Sequence, residues 1–347
     1  MEPAVRQASL WEGVEGEPGH ARCRLCSHRC RIAPGRRGLC GVRENRDGTL
    51  FTLVYGRLVA ANVDPIEKKP LFHVAPGSLS YSIATAGCNF RCLHCQNYSI
   101  SQAPREGGSV PGRYVPAETV VREAVASGCA SIAYTYTEPT IFFEYARECM
   151  TLAHGQGLLN VFVTNGYMTP ECLDAADGLL DAANVDLKSM SDEFYRTVCG
   201  ARLQPVLDTI RELARRGVWV EVTTLVIPGR NDAEAELREA ARFLAGVSPE
   251  IPWHVTGFFP TYKLTDAPPT PASTLLRAWE IGREEGLRFV YTGNRPGRGG
   301  EDTVCPSCGE TAVGRLGYAL TRRNLTGDGR CGSCGARIPG LNMGGGP

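Results

Sequence analysis

Three cysteines fall within eight positions of the stretch GCNFRCLHCQN, at Cys88, Cys92 and Cys95. This C-x3-C-x2-C loop directly follows the apolar run YSIATA at 81–86, and Gly87 gives its backbone the freedom to turn. A cubane iron–sulfur cluster takes one ligand per iron, and cysteine thiolates normally supply all of them. Three local thiols therefore predict a cluster with one open iron, which can bind a small molecule through amino and carboxylate donors.

Two simpler interpretations of this loop are also open. The pair CLHC, Cys92 and Cys95, has the spacing of a thioredoxin-like dithiol, but such a pair does not need Cys88 and normally opens a helix. A structural zinc site would require a fourth ligand from elsewhere in the chain. The cluster accounts for all three thiols without a distant fourth ligand, so we favour it over both alternatives.

A second set of thiols lies near the carboxyl terminus, in two C-x2-C-G knuckles at Cys305, Cys308, Cys331 and Cys334. Each knuckle turns tightly enough to supply two thiolates to a tetrahedral zinc ion. A rubredoxin-type iron fits the same spacing, so the metal is zinc or iron. We expect a structural site that stabilises a small lobe with little core of its own.

A third set has the spacing C-x2-C-x3-C-x9-C, at Cys23, Cys26, Cys30 and Cys40. It suits either a zinc site or an auxiliary iron–sulfur cluster, and His28 is an alternative ligand. Because four thiolates leave no open iron, its role would be structural or electron-relaying. We favour zinc or another structural metal here.

Composition limits the function classes. This 347-residue chain has 15 cysteines, and we expect no export signal. Metal binding therefore explains the cysteines better than disulfides do. Lys plus Arg and Asp plus Glu are both 37, so net charge predicts no nucleic-acid partner. No apolar run reaches the roughly 20 residues that span a bilayer. We expect a cytoplasmic protein without a membrane partner.

The isolated cysteines are expected to be small buried hydrophobes. For Cys199, in TVCGA, a chemically active thiol is the alternative.

Short β-branched runs alternate with helical periods between about residues 80 and 295. The predicted strands lie at 81–86, 131–136, 160–164, 182–187, 218–226, 253–259 and 288–293, and the predicted helices at 116–128, 140–157, 203–217, 232–246 and 271–286. This alternation predicts an α/β fold with a parallel sheet, a partial (β/α)6 TIM-like barrel over 76–298. Small Cys-rich metal-binding lobes are expected at 1–75 and 299–347.

Polar residues follow several of these strands, at Glu138, Thr164, Asn165, Asp186, Lys188 and His254. Functional side chains of a βα barrel lie at the carboxyl ends of its strands. We therefore expect these residues to gather beside the thiol loop. For each one taken singly, a satisfied polar group at a strand end is the simpler alternative.

The C-x3-C-x2-C spacing after a first strand resembles the radical S-adenosylmethionine (radical SAM) superfamily. The resemblance implies that Cys88, Cys92 and Cys95 bind a [4Fe–4S] cluster and that its open iron binds S-adenosylmethionine. It further implies that the reduced cluster cleaves this cofactor to a 5′-deoxyadenosyl radical, which removes a hydrogen atom from a substrate. The cofactor carries the chemistry, while the protein orients the reactants and excludes water and oxygen. Such an enzyme is oxygen-sensitive.

The resemblance also implies which residues bind S-adenosylmethionine: His94, Glu138, Thr164, Asn165, Asp186, Lys188 and His254. His94 would lie near the adenine. Glu138 resembles the acidic motif that receives the methionine amino group. Asp186 and Lys188 resemble the pair that holds the ribose and the methionine carboxylate in glycyl-radical-activating enzymes, and His254 is similar to a cofactor-contacting histidine in those activators. The segment VIPGRND at 226–232 resembles the one that borders the adenine.

Over nearly its full length the chain resembles one branch, the AmmeMemoRadiSam-system radical SAM enzymes, which are relatives of the pyruvate formate-lyase activators. The segments that carry this resemblance are CRLCSHRC, IEKKPLFHVAPGS, GCNFRCLHCQN, YTYTEPTIFFEYA, VDLKSMSDEFYRTVCGA, WHVTGFFP and YTGNRPG. The resemblance implies AMMECR-type and Memo-type proteins as partners, together with a reducing partner of the ferredoxin or flavodoxin type.

The leading hypothesis is therefore a radical SAM enzyme whose substrate the sequence does not reveal. One alternative within this class is a glycyl-radical enzyme activase similar to the pyruvate formate-lyase activator. An alternative of another class is a non-catalytic metal scaffold or electron-transfer module, in which all three thiol sets are structural or relay electrons.

Overall fold

The chain begins with two small antiparallel sheets in the computed structural model, which describes residues 3–294 and 300–345. Their strands are β1 (Arg6–Gln7), β2 (Trp11–Gly13), β3 (Ala21–Cys23), β4 (Arg31–Ile32), β5 (Arg43–Arg46) and β6 (Thr49–Thr52). One sheet has the order β1-β6-β5 and the other β2-β3-β4. The buried Arg43 guanidinium pairs with Glu144 at 2.9 Å and donates to the Ser9 carbonyl, so a buried ion pair joins this region to the rest of the fold.

Nine strands form the central sheet. They are β7 (Arg57–Pro65), β8 (Leu79–Thr85), β9 (Arg113–Tyr114), β10 (Ser131–Tyr134), β11 (Leu159–Thr164), β12 (Ala182–Asp186), β13 (Trp219–Val226), β14 (Trp253–Gly257) and β15 (Val290–Gly293). Strands β8 and β10 to β15 are parallel, whereas β7 and β9 extend the sheet in antiparallel pairing beyond β8. Because β15 and β9 are its two edges, the sheet is an open barrel. All seven predicted strands and the partial barrel are confirmed.

Helices cover the connections between the parallel strands. They are α1 (Tyr98–Ser101), α2 (Ala103–Glu106), α3 (Ala117–Ala126), α4 (Phe143–His154), α5 (Pro170–Ala176), α6 (Asp192–Phe194), α7 (Gln204–Arg215), α8 (Glu234–Val247) and α9 (Ala272–Glu284). The five predicted helices correspond to α3, α4, α7, α8 and α9. The sequence did not predict α5, a helix of only seven residues that Thr169 caps by accepting from the Cys172 amide at 3.1 Å. Within the described ranges, no helix has the length and apolar character needed to cross a membrane.

A buried carboxylate organises the floor of the barrel, where the parallel strands begin. Glu221 accepts hydrogen bonds from the amides of Phe72 and His73, at 3.0 and 2.8 Å, and from the Trp219 indole at 3.1 Å. Its fourth partner is the Nε2 atom of His254 at 2.6 Å. Although burial opposes ionisation, the bond and charge of His254 keep the pKa of Glu221 below its usual value.

The floor also carries the C-terminal region, which forms a three-stranded sheet of β16 (Thr303–Val304), β17 (Thr311–Leu316) and β18 (Ala319–Arg323). Arg315 donates to the Phe72 carbonyl at 2.7 Å, and His73 Nδ1 lies 2.6 Å from the Pro339 carbonyl oxygen. The segment IEKKPLFHVAPGS at 66–78 therefore lies between the barrel and this sheet. The proposed domain boundary at 298 and the last three residues of the motif YTGNRPG lie outside the described residues.

Replacing Glu221 tests the importance of this floor. We expect Glu221→Ala to lower the free energy of unfolding by about 3 kcal/mol or more, because it leaves two buried amides and a buried imidazole without their acceptor. Urea unfolding under anaerobic conditions measures the loss. Glu239→Ala, on the exposed side of α8, is the matched control and should change stability by less than about 0.5 kcal/mol. Equal effects of the two substitutions would contradict this account.

Candidate metal and cofactor site

The thiol loop begins where β8 ends, at the carboxyl edge of the parallel sheet. Gly87 has φ +100°, and a Cβ there would lie 2.8 Å from a Val42 methyl group and 3.0 Å from the Cys40 carbonyl oxygen. Only glycine fits this turn and this close approach. Cys88 and Cys95 are half-buried and Cys92 is buried.

Backbone hydrogen bonds from other segments fix the shape of the loop. The amides of Arg91 and Leu93 donate to the carbonyls of Cys199 and Val198, at 2.8 and 3.0 Å. These acceptors end a single π-helical turn, Tyr195–Cys199, a feature that often marks a functional site. The Lys263 amide donates to the Leu93 carbonyl at 2.9 Å, so the loop is held from two directions.

The separation of the three loop thiols argues against a single metal ion. Of the Cys, His, Asp and Glu side chains that the structure describes, only the C-terminal thiols bring three or more ligand atoms all within 4.8 Å of one another. Two thiolates on one tetrahedral zinc lie about 3.8 Å apart, given Zn–S bonds of about 2.3 Å. At least one pair of the sulfur atoms of Cys88, Cys92 and Cys95 is therefore wider than 4.8 Å, and this donor set fits a cluster with several irons better than one ion.

The pKa values of these thiols also bear on metal binding. Burial raises the pKa of Cys88 well above its usual value, and the negative charge of Glu138 adds to the shift. The pKa of Cys92 is raised by a hydrogen bond with the Cys199 thiol and then by burial. Thiolates are the form that binds metal, so a bound cation would be needed to stabilise them in this buried environment.

Glu138 ties the ends of two neighbouring strands to the thiol loop. Its Oε1 accepts from the amide and hydroxyl of Thr140 and from the Thr164 hydroxyl at 2.7 Å, and its Oε2 accepts from the Asn165 amide at 2.8 Å. Asn165 Nδ2 in turn donates to Asn89 Oδ1 at 2.7 Å and lies 3.9 Å from Cys88 Sγ. The carboxylate therefore positions Thr164 and Asn165, and its Oε2 retains capacity for a further donor.

Asp186 and Lys188, which follow β12, form an ion pair at 3.0 Å beside the loop. Burial opposes the charge of Lys188, but Asp186 and the thiols Cys92 and Cys199 together raise its pKa. The Lys188 carbonyl accepts from Asn231 Nδ2 at 2.6 Å, so the segment 226–232 borders this pair. A cationic group thus faces the thiols from the strand-end side.

His94 is buried on the same side, and neither of its ring nitrogens has a hydrogen-bond partner. Burial, and secondarily the charge of Lys188, lower its pKa to about 3, so the ring is neutral. Its centroid lies 6.3 Å from that of Phe194. A buried polar side chain without a partner is rare in a folded protein, and a bound ligand is one way to satisfy it.

The structure thus brings nine of the predicted residues to one place: Cys88, Cys92, Cys95, His94, Glu138, Thr164, Asn165, Asp186 and Lys188. It does not bring His254 there. His254 is the second residue of β14, so it lies at the floor in contact with Glu221, and the sequence-based position at the strand's carboxyl end requires correction. The predicted strand at 253–259 already had His254 near its amino end, so the expected place in the site rested on the resemblance and not on the strand boundaries.

Two contributors to the site were not selected from the sequence. Asn89 bonds to Asn165, and no sequence signal distinguished it from an ordinary turn residue. Arg105 donates to the backbone carbonyls of Cys88, Phe90 and Leu39, which lie far from it in sequence. Cys199, considered only as an alternative, lies against Cys92.

The C-terminal thiols form a compact four-sulfur site. Cys305 Sγ lies 3.7 Å from Cys334 Sγ, and Cys308 Sγ lies 3.7 Å from Cys331 Sγ. These distances match the edge of about 3.8 Å expected for a tetrahedral ion with Zn–S bonds of about 2.3 Å. The residues present therefore fit one mononuclear metal ion.

A model of the radical SAM superfamily matches residues 82–244. An uncharacterised protein of Methanocaldococcus jannaschii is 43% identical over 336 residues, which is 96% of this chain and 99% of that protein. The pyruvate formate-lyase 1-activating enzyme of Escherichia coli K12 is 24% identical over 225 residues, 59% of this chain and 89% of that enzyme. In fold, the chain is similar to a radical SAM methyltransferase from Sphaerobacter thermophilus, with a TM-score of 0.50 and 17% identity over 65% of this chain and 68% of that one.

The turn at Gly87 gives a test of the site's construction. We expect Gly87→Ala to lower the free energy of unfolding by about 2 to 3 kcal/mol and to reduce bound iron, because its methyl group meets Val42 and the Cys40 carbonyl at a positive φ. Gly178→Ala is the control, since Gly178 has φ +69° with nothing within 4 Å of the added carbon. It should cost only about 1 kcal/mol and leave iron content unchanged. Iron analysis and urea unfolding of both variants decide the matter, and equal iron content would refute the expectation.

Proposed function

Because the chain belongs to the radical SAM superfamily and is related to the pyruvate formate-lyase activators, we propose that it cleaves S-adenosylmethionine reductively and removes a hydrogen atom from a substrate. The observation that carries this proposal is the loop of Cys88, Cys92 and Cys95, whose sulfur atoms are not all within 4.8 Å of one another and which lies beside the Asp186–Lys188 pair. These three residues would hold a [4Fe–4S] cluster. When bound, that cluster supplies the electron that splits the cofactor's sulfonium.

The chain's own residues would bind and orient the cofactor. Lys188 offers a cation for the methionine carboxylate, and Asp186 beside it offers an acceptor for the ribose hydroxyl groups. Glu138 Oε2 has an acceptor position for the methionine amino group. The neutral, unpartnered ring of His94 would contact the adenine. This assignment leaves His254 out because of its position at the floor.

Exclusion of water is the second task of these residues. Cys92, His94, Glu138 and Asn165 are all buried, so the site is surrounded by protein on the strand-end side. Electrostatic contacts with a bound cofactor gain strength in such a low-dielectric environment. We propose that reactive species are thereby protected from water and oxygen, and that the enzyme is oxygen-sensitive.

A second candidate, within the same chemistry, is activation of a glycyl-radical enzyme. The likeness to the pyruvate formate-lyase 1-activating enzyme of Escherichia coli favours it. Freeze-quenched electron paramagnetic resonance (EPR) of a mixture with a glycyl-radical protein distinguishes the two roles. A protein-based glycine radical supports activation of such a partner, whereas 5′-deoxyadenosine release without that signal supports another substrate.

Several finer assignments belong to this proposal. The reductant would be a ferredoxin- or flavodoxin-type protein, and AMMECR-type and Memo-type proteins are the partners to test first. We propose a cytoplasmic location. We also propose zinc at Cys305, Cys308, Cys331 and Cys334, where the sulfur distances fit one tetrahedral ion.

The activity itself is measured by product release. Anaerobically reconstituted and reduced protein with excess S-adenosylmethionine should release 5′-deoxyadenosine and methionine. Cys88→Ala should lower the rate by more than about 100-fold, which exceeds the usual effect of replacing a residue that only contacts a metal ligand. Cys129→Ala removes a buried thiol near the amino end of β10 and should retain the activity. If the reconstituted protein releases no more product than Cys88→Ala, a non-catalytic metal scaffold is the better description.

Cofactor binding is tested separately at Lys188. We expect Lys188→Met to weaken S-adenosylmethionine binding by roughly 10- to 100-fold, the value of a hydrogen bond to a charged group, while the iron content stays constant. Equilibrium dialysis with labelled cofactor gives the dissociation constants. Lys68→Met, which removes a half-exposed ammonium paired with Asp64, is the control and should bind normally. Unchanged affinity of Lys188→Met would remove Lys188 from the proposed binding site.

A further inference from the structure

The four N-terminal thiols surround one pocket. Its lining includes Cys23, Cys26, Cys30 and Cys40 together with His28. Cys23, Cys26 and Cys40 are buried and Cys30 is half-buried, although they come from separate strands and loops of the small sheets. Four buried or half-buried thiols around one space form a ready set of metal ligands.

The spacing of these thiols differs from that of the C-terminal set. No three of the four N-terminal sulfur atoms lie within 4.8 Å of one another, whereas all four of the C-terminal sulfurs do. The C-terminal set also shows two direct sulfur–sulfur contacts of 3.7 Å. A mononuclear zinc or iron requires such short separations. In the N-terminal pocket every set of three sulfurs includes a pair wider than 4.8 Å, and this fits a cluster in which each thiolate binds a different iron better than it fits one ion.

This pocket backs directly onto the catalytic thiol loop. The Cys40 carbonyl packs on Gly87, and a Cβ on Gly41 would lie 2.9 Å from Pro104 Cβ. His28 Nε2 lies 2.9 Å from the Asn89 carbonyl oxygen. One residue after Pro104, the Arg105 guanidinium bridges the two thiol loops by donating to the carbonyls of both Leu39 and Cys88.

We propose that Cys23, Cys26, Cys30 and Cys40 hold a second [4Fe–4S] cluster, which passes single electrons to the cluster of the Cys88 loop. A reduced ferredoxin- or flavodoxin-type donor loses one electron, the N-terminal cluster gains it, and the loop cluster then receives it, so no bond forms or breaks. The relay rests on the proposed function, but the second cluster does not. The side that receives electrons is the surface at Leu39, which is 44% exposed beside Cys40 and next to the exposed Arg36, a cation that suits an acidic donor, whereas Arg37 is paired with Glu44 at 3.0 Å.

Metal analysis tests the second cluster without any cofactor. We expect a variant in which Cys88, Cys92 and Cys95 are all alanine to bind about four iron and about four sulfide per chain after anaerobic reconstitution. Its Mössbauer spectrum should be that of a four-iron cluster, and its EPR spectrum should not respond to S-adenosylmethionine. Adding Cys26→Ala and Cys30→Ala should abolish this iron and leave the C-terminal metal in place. Retention of no iron, or of one zinc in this pocket, would overturn the proposal.

A rate measurement tests the relay. In Cys30→Ser, or in Cys26→Ser if the former does not fold, we expect reduction of the loop cluster by reduced flavodoxin to slow at least tenfold. Reduction by dithionite, a small reductant, should be unchanged, as should binding of S-adenosylmethionine. Equal rates with flavodoxin would overturn the relay. Because iron retention in the triple variant does not depend on cofactor cleavage, failure of the proposed function and failure of the second cluster give different results.

Discussion

The backbone of the thiol loop has its geometry imposed by the segments around it. The loop carries three candidate metal ligands but almost no regular structure, and the carbonyls of Cys199 and Val198 align its amides. Gly87 on one side and the π-helical turn on the other therefore fix where each sulfur points. Strand β12, with Asp186 and Lys188, must end at the same edge for the chemistry to assemble, which a parallel sheet guarantees.

A buried carboxylate surrounded by hydrogen-bond donors lies at each end of the barrel, and the two carboxylates have different roles. At the floor, Glu221 binds backbone amides of a distant segment and so stabilises the fold. At the carboxyl edge, Glu138 binds Thr164 and Asn165 and so sets the position of side chains beside Cys88. Each carboxylate offsets its cost of burial through several hydrogen bonds, and only the second keeps capacity for a ligand.

Sequence reasoning succeeded where a local pattern carries the information. The period of the apolar residues located seven strands and five helices, and the spacing of Cys88, Cys92 and Cys95 located the site. It failed where a contact joins distant segments, as between Arg105 and Cys88 or between Glu221 and His73. The strands of the N-terminal region have only two to four residues, too few for a readable alternation. Spacing alone also could not separate a zinc ion from a cluster at Cys23, because that distinction is one of distance in space.

Segment 66–78 joins the C-terminal sheet of β16 to β18 to the amino ends of the parallel strands. Phe72 and His73 bind Glu221 with their amides while their carbonyl and ring bind Arg315 and Pro339. If the four C-terminal thiols hold a metal ion, as we propose, its removal with a chelator would weaken the contacts of the C-terminal sheet with segment 66–78, on the face remote from the thiol loop. The proposed metal at the carboxyl terminus would in this way contribute to the rigidity of the parallel sheet, and so to the positions of the side chains at its opposite edge.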